Sequence, residues 1–223
     1  PASPVAGRSV EQGMSTADAP IRAGVRWLTT KRVTLGVAAL LLAVFVFELI
    51  VLFAAGVTVW QYVFLATLEP TPGWVMAPFS HRSISHLVTT LSVIVVYGGL
   101  VEESLEPATY FAFYVVAGYA STVAQLIEYA NGLPGLGTLG ASGAALGLVT
   151  FFSTTTAARQ RSESASVTTI EKLFAVTGGL IAVLIVINDF VPGIVFETGT
   201  APLGHAGGMV AGVCYGIIRA RTQ

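Results

Sequence analysis

Residues 33–55 run for 23 positions with a single charge, Glu48, and that stretch alone dictates the solvent in which this chain must fold. About 20 helical residues cross a hydrocarbon layer about 30 Å thick, so the run reads as a transmembrane helix. Five more apolar runs follow, at 84–101, 108–127, 141–158, about 167–187 and 202–218. The expected fold class is therefore an all-α membrane protein with six transmembrane helices. Charge supports this: 11 basic and 12 acidic residues stand in 223, where an average soluble chain would carry roughly 55 charges. With 54% hydrophobic residues, such a composition excludes a disordered chain, a nucleic-acid binder reading through a basic face, and a water-soluble domain.

Residues 1–32 are rich in Ala, Ser, Pro, Gly and Arg without an apolar period, and read as a mobile cytoplasmic tail closed by Arg22, Arg26, Lys31 and Arg32. They do not read as a cleaved signal, because the first apolar run is too long for a signal core. Residues 33–219 form the membrane domain, and 220–223 a short cytoplasmic tail. With an even number of spans both termini share one side, and a cytoplasmic N-terminus puts Arg8, Arg22, Arg26, Lys31, Arg32, Arg159, Arg161, Lys172, Arg219 and Arg221 inside, leaving Arg82 outside. That asymmetry fits the preference of Lys and Arg for the cytoplasmic face, so the expected topology is N-in and C-in. Segments 56–83, 128–140 and 188–201 then face outward.

Polar side chains inside a bilayer are costly and are functional candidates when a partner can be named. At about 1.5 Å of rise per residue, Ser142 lies roughly 25 Å from the inner charge Arg159, His205 roughly 21 Å from Arg219, and His86 roughly 24 Å from Glu102. Three polar groups on three helices thus share one level in the outer part of the membrane. A serine level with a histidine is the minimum for a nucleophile and its general base. No acidic residue lies near His205 in sequence, so the pair reads as a Ser-His dyad without a carboxylate. Ser142 opens its helix, where unpaired amides and the positive dipole end stabilise an anionic oxygen. Gly140 and Gly143 flank it, and their missing β-carbons would let a substrate backbone approach. His86 and Thr90, four apart, share a helix face and could aim donors into the same cavity. Glycines recur every fourth residue at 204, 208, 212 and 216, and at 143 and 147. Such faces bring helix backbones together in lipid, so the fourth and sixth spans are expected to touch there.

These residues resemble the rhomboid family of intramembrane serine proteases. The matching pieces are FSHRSISH at 79–86, Gly98, Gly99 and Glu102 at the inner end of the second span, GASG at 140–143, and His205 followed by Gly208 and Gly212. They occur in the family's order over about residues 33–219, which implies a six-helix rhomboid-like bundle. The resemblance implies Ser142 as nucleophile, His205 as base, and His86 with the Ser142 amide at the oxyanion. It also implies membrane-anchored helical substrates cut near the outer end, within a cell membrane, without metal or other cofactor. The family commonly has Asn where this chain has Thr90, and an aromatic where it has Leu146. If Thr90 fills that oxyanion role, Thr90→Asn should raise turnover.

Other candidates read more plainly. His81 suits a loop-fixing hydrogen bond, Glu48 is an intramembrane acid of unknown partner, and Glu128 and Asp189 are expected to be solvated at outer helix ends. Cys214 reads as a small buried hydrophobe. One cysteine and three histidines without a ligand spacing build no metal site. Two other functions compete with a protease. The alternative reading is a catalytically impaired relative that binds transmembrane helices as an adaptor. A transporter is disfavoured because only Glu48 lies well inside a span. The scarcity of Lys beside Arg, with abundant Ala, Val, Thr and Gly, hints at a prokaryotic source.

Overall fold

The computed structural model describes residues 18–132, 137–162, 166–191 and 201–222. The chain divides into two units, Pro1–Lys31 and Arg32–Gln223. In the first, the described part of the expected tail is helical: α1 spans Asp18–Thr29. Ile21, Val25 and Leu28 recur on one side at helical spacing, a period short enough to be lost among the surrounding Ala, Gly and Arg. Residues 1–17 of that tail lie outside the described residues.

The second unit is built from helices α2 to α9. α2 is assigned from Arg32 to Phe64 but breaks at Gly56, whose φ of 83° and ψ of 174° suit only glycine. On one straight helix Phe47 and Phe64 would stand about 25 Å apart. Their ring centroids are 5.4 Å apart, so the chain reverses at Gly56 and residues 57–64 lie back along the first span. Here the expectation of an outer loop starting at residue 56 is corrected: it starts with two further helical turns. The short α3 (Gly73–Met76) and a 3-10 turn, Ala77–Phe79, complete that connection. α4 (Ile84–Val93) continues through a π-helical turn, Ile94–Gly98, into α5 (Gly99–Val101), giving one helix of 18 residues. α6 (Pro107–Ala130), α7 (Ser142–Arg161), α8 (Thr169–Phe190) and α9 (Pro202–Arg221) follow.

Among the described residues four helices are long and apolar enough to cross a membrane: Arg32–Phe64, Ile84–Val101, Pro107–Ala130 and Thr169–Phe190. α7 and α9, 20 residues each, are more polar. Packing explains the difference. α7 is the inner helix, buried continuously from Gly143 to Phe152 and in contact with α4, α5, α6, α8 and α9, so it needs no lipid-facing apolar surface. The outer faces tell the opposite story, with Phe47, Phe53, Val116, Leu173, Val176 and Val210 exposed. So much exposed apolar surface suits hydrocarbon rather than water. This is the pattern of a multi-pass membrane protein.

One helix start is tied down from across the fold. Glu102 accepts hydrogen bonds from the amides of Val33 (2.9 Å) and Thr34 (2.8 Å) and from the Thr34 hydroxyl (2.7 Å). A carboxylate there satisfies orphan amides and meets the positive end of the α2 dipole. At the same end, Arg159 on α7 pairs with Glu171 of α8 at 2.6 Å, and Glu171 closes a capping box with Thr168.

Candidate active site

Backbone geometry places Ser142. The segment entering α7 is pinned to the connection between α2 and α4 by a bridge between Ala66 and Thr138 (N···O 3.0 and 2.8 Å) and by the Gly140 amide donating to the Ala77 carbonyl at 2.8 Å. Gly140 has φ of 139°, and a β-carbon there would sit 3.1 Å from the His86 ring and 3.3 Å from the Ser142 hydroxyl oxygen. Its role is thus to let the chain turn between these two side chains. Ser142 then begins α7, where the first amides have no helical acceptor.

Glycines bring α9 onto α7. A β-carbon on Gly208 would lie 2.0 Å from the Gly143 carbonyl oxygen, and one on Gly212 2.2 Å from that of Gly147. The two helices share the largest helix-to-helix contact of the described residues, along the faces expected from the glycine spacing. From this seam the His205 Nε2 comes within 2.9 Å of the Ser142 Oγ. His205 is 8% exposed.

The start of α9 is held by α6. The Gly204 amide donates to Gln125 Oε1 at 2.9 Å, Gln125 Nε2 donates to Glu128 Oε2 at 2.6 Å, and the Leu203 amide approaches the same carboxylate oxygen at 3.5 Å. Glu128 is 9% exposed, which corrects the expectation of a solvated helix end: it is drawn inside by the orphan amides of another helix.

Asp189 brings the larger correction. It is 7% exposed, and its Oδ2 lies 2.5 Å from the His205 Nδ1. The expected dyad lacking a carboxylate is therefore not what the geometry presents. Sixteen residues of sequence separate the two groups, and nothing in local spacing signals that the end of α8 returns to the start of α9.

A cavity of about 620 Å³ opens beside this pair. Ser142, His205 and His86 line it, with Trp60, Arg82 and Tyr129 among its other walls. Three expected site residues, Thr90, Gly140 and Gly143, do not line it, and Gly140 serves the turn between His86 and Ser142 instead. Thr90 is 3% exposed, and the wall one turn beyond His86 is formed by Thr89. At 100° per residue, positions i+3 and i+4 fall on either side of His86, and α4 is rotated to favour the former. Gly143 faces the helix interior, where a β-carbon would collide with Ser121 at 2.0 Å, so its small size serves packing rather than substrate approach.

Glu48 has a partner after all: its carboxylate accepts from the His81 amide at 3.0 and 3.1 Å, anchoring the connection before α4 to α2. The loop-fixing hydrogen bond expected of His81 is thus made by its backbone. Its ring is 1% exposed, has both nitrogens without a hydrogen-bond partner among the described residues, and packs edge-on to His86 with centroids 5.3 Å apart. Burial, and then the neighbouring His86, pull the His81 ring down to about 3, so it supports His86 as a neutral wedge. Cys214, expected inside, is exposed on α9.

A search of curated proteins finds no match to this chain. The model of the Rhomboid domain matches residues 59–222, a span that runs from the cavity wall at Trp60 to the end of α9. The chain belongs to the rhomboid family of intramembrane proteases.

Proposed function

We propose that the protein is an intramembrane serine endopeptidase that cuts membrane-anchored helices near the outer face of the cell membrane. The observation that carries this reading is the 2.9 Å approach of Ser142 Oγ to His205 Nε2, made by side chains of two separate helices beside a cavity. Ser142 Oγ attacks the scissile carbonyl carbon while its proton passes to His205 Nε2. The oxygen that becomes negative is met by the amide at the start of α7 and by His86. The carbon–nitrogen bond breaks and His205 returns the proton to the departing nitrogen. A water molecule then gives its proton to His205 and adds to the acyl ester, and breakage of the ester bond restores the serine hydroxyl.

In this reading the six long helices all span the bilayer, with both termini cytoplasmic. Supporting that orientation, Arg159, Arg161, Arg219 and Arg221 lie in the last turns of α7 and α9, opposite the ends that carry Ser142 and His205. The cavity would receive an unwound segment of the substrate helix, because a peptide bond within an intact helix is shielded from attack.

The test is cleavage of a tagged single-pass reporter helix in lipid vesicles. Wild-type protein should yield two fragments cut near the outer end, while Ser142→Ala and His205→Ala, both still folded, should leave the reporter whole. Loss of the general base alone costs about 10²–10⁴-fold. A folded wild-type protein that binds reporter helices without cutting any would favour the adaptor reading instead.

A further inference from the structure

Asp189 is a buried acid that the serine–histidine reading does not use. It sits in the last turn of α8, where the helix dipole is negative and where no basic residue is present to offset it. A carboxylate at that place opposes the dipole and loses hydration. What it meets is the ring nitrogen opposite the one that faces Ser142: Nδ1 at 2.5 Å on one side, Nε2 to Ser142 at 2.9 Å on the other. A neutral imidazole carries one N–H and one lone pair. An N–H at Nδ1 donating to the carboxylate leaves the lone pair on Nε2, aimed at the serine hydroxyl.

We propose that Asp189 is a positioning residue for the hydrolytic pair, fixing the tautomer and orientation of His205, with the three side chains contributed by α7, α8 and α9. This rests on the proteolytic reading of the site. As Ser142 attacks, its proton moves to Nε2, while the Nδ1 proton stays shared with Asp189, which takes no proton itself. The imidazolium that forms is then balanced by the adjacent carboxylate. The ring is held at both nitrogens, so it cannot turn away between steps.

The test follows inactivation by a fluorophosphonate probe, in which Ser142 Oγ bonds to phosphorus and fluoride departs, as a function of probe concentration. Asp189→Asn keeps shape but presents an amide. It should lower the limiting inactivation rate by about 100-fold or more, with the probe's apparent affinity within about two-fold because Asp189 does not line the cavity. Asp189→Glu, which restores a carboxylate, should recover part of the loss. Wild-type limiting rates in a folded Asp189→Asn protein would overturn the proposal while leaving Ser142-dependent labelling, and so the proteolytic reading, intact. Absence of Ser142-dependent labelling in the wild type would instead strike the proteolytic reading. A second measurement works in either event: ¹⁵N NMR of histidine-labelled wild-type protein in micelles should show His205 protonated at Nδ1. Protonation at Nε2 alone would overturn the role given to Asp189, whether or not its variants fold.

Discussion

α9 meets its neighbours by two kinds of physics. Against α7 backbone lies on backbone because Gly208 and Gly212 face Gly143 and Gly147, with Tyr215 stacked on Phe151 further along. Against α6 it packs through Gly207 on Ala120 and Ala124, and α6 and α8 each add polar contacts at its start: Gln125 and Glu128 on its first amides, Asp189 on its histidine. The first arrangement sets how near the two helices come, and the second sets where along and around α9 the imidazole points. A hydroxyl–imidazole pair at 2.9 Å needs both.

The seam is the place to break the site outright. In Gly208→Ala the added carbon would lie 2.0 Å from the Gly143 carbonyl oxygen, and backbone cannot swing aside as a side chain can. The expected cost is about 3 kcal/mol, a drop of about 6–12 °C in the melting temperature of a chain this size. Probe labelling should vanish with it, since α9 must move away from α7. Calorimetry and labelling on one preparation check both, and an unshifted melting temperature would refute the close-packed seam.

The polar side yields more gently. Gln125→Leu removes the acceptor for the Gly204 amide and should cost about 1 kcal/mol, the usual worth of a helix N-cap. Labelling should fall by less than in Asp189→Asn, because α9 keeps its seam with α7. If Gln125→Leu matched the Gly208→Ala loss, the distinction between distance-setting and direction-setting contacts would fail.

The smallest effect is expected at Thr90. Its side chain is buried away from the cavity, so Thr90→Asn should add strain of about 1 kcal/mol without raising the labelling rate. A faster enzyme would mean that the residue reaches the reacting atoms after all, as its place in the sequence suggests.

These differences show what the chain discloses in one dimension. The glycines at every fourth position, the apolar runs and the shared depth of Ser142, His205 and His86 are periodic or countable features, and helix geometry turns them directly into a seam and a level. Glu102 lies at a motif position, and in space it caps the start of α2. Asp189, Glu128 and Glu48 were legible only as acids near helix ends or within a span. Each meets a partner far off in the sequence, at a separation that carries no period: 16 residues for Asp189, 75 for Glu128 and 33 for Glu48. Thr90 fails for a related reason. A face shared at i and i+4 fixes two directions relative to each other, but the rotation of α4 that selects Thr89 for the cavity is set by packing on other helices. The low apolarity of α7 likewise reflects its burial among other helices, which no single stretch of sequence discloses.

The account stands on the serine hydroxyl acting as a nucleophile toward the cavity, and peptide mapping by mass spectrometry after reaction with a fluorophosphonate probe tests that most directly. The expected result is one phosphonyl adduct, on the peptide that begins α7 and at Ser142, lost in Ser142→Ala and in His205→Ala while both variants keep the wild-type helical content. An adduct at another serine or threonine, or no adduct from a folded protein in vesicles, would contradict it.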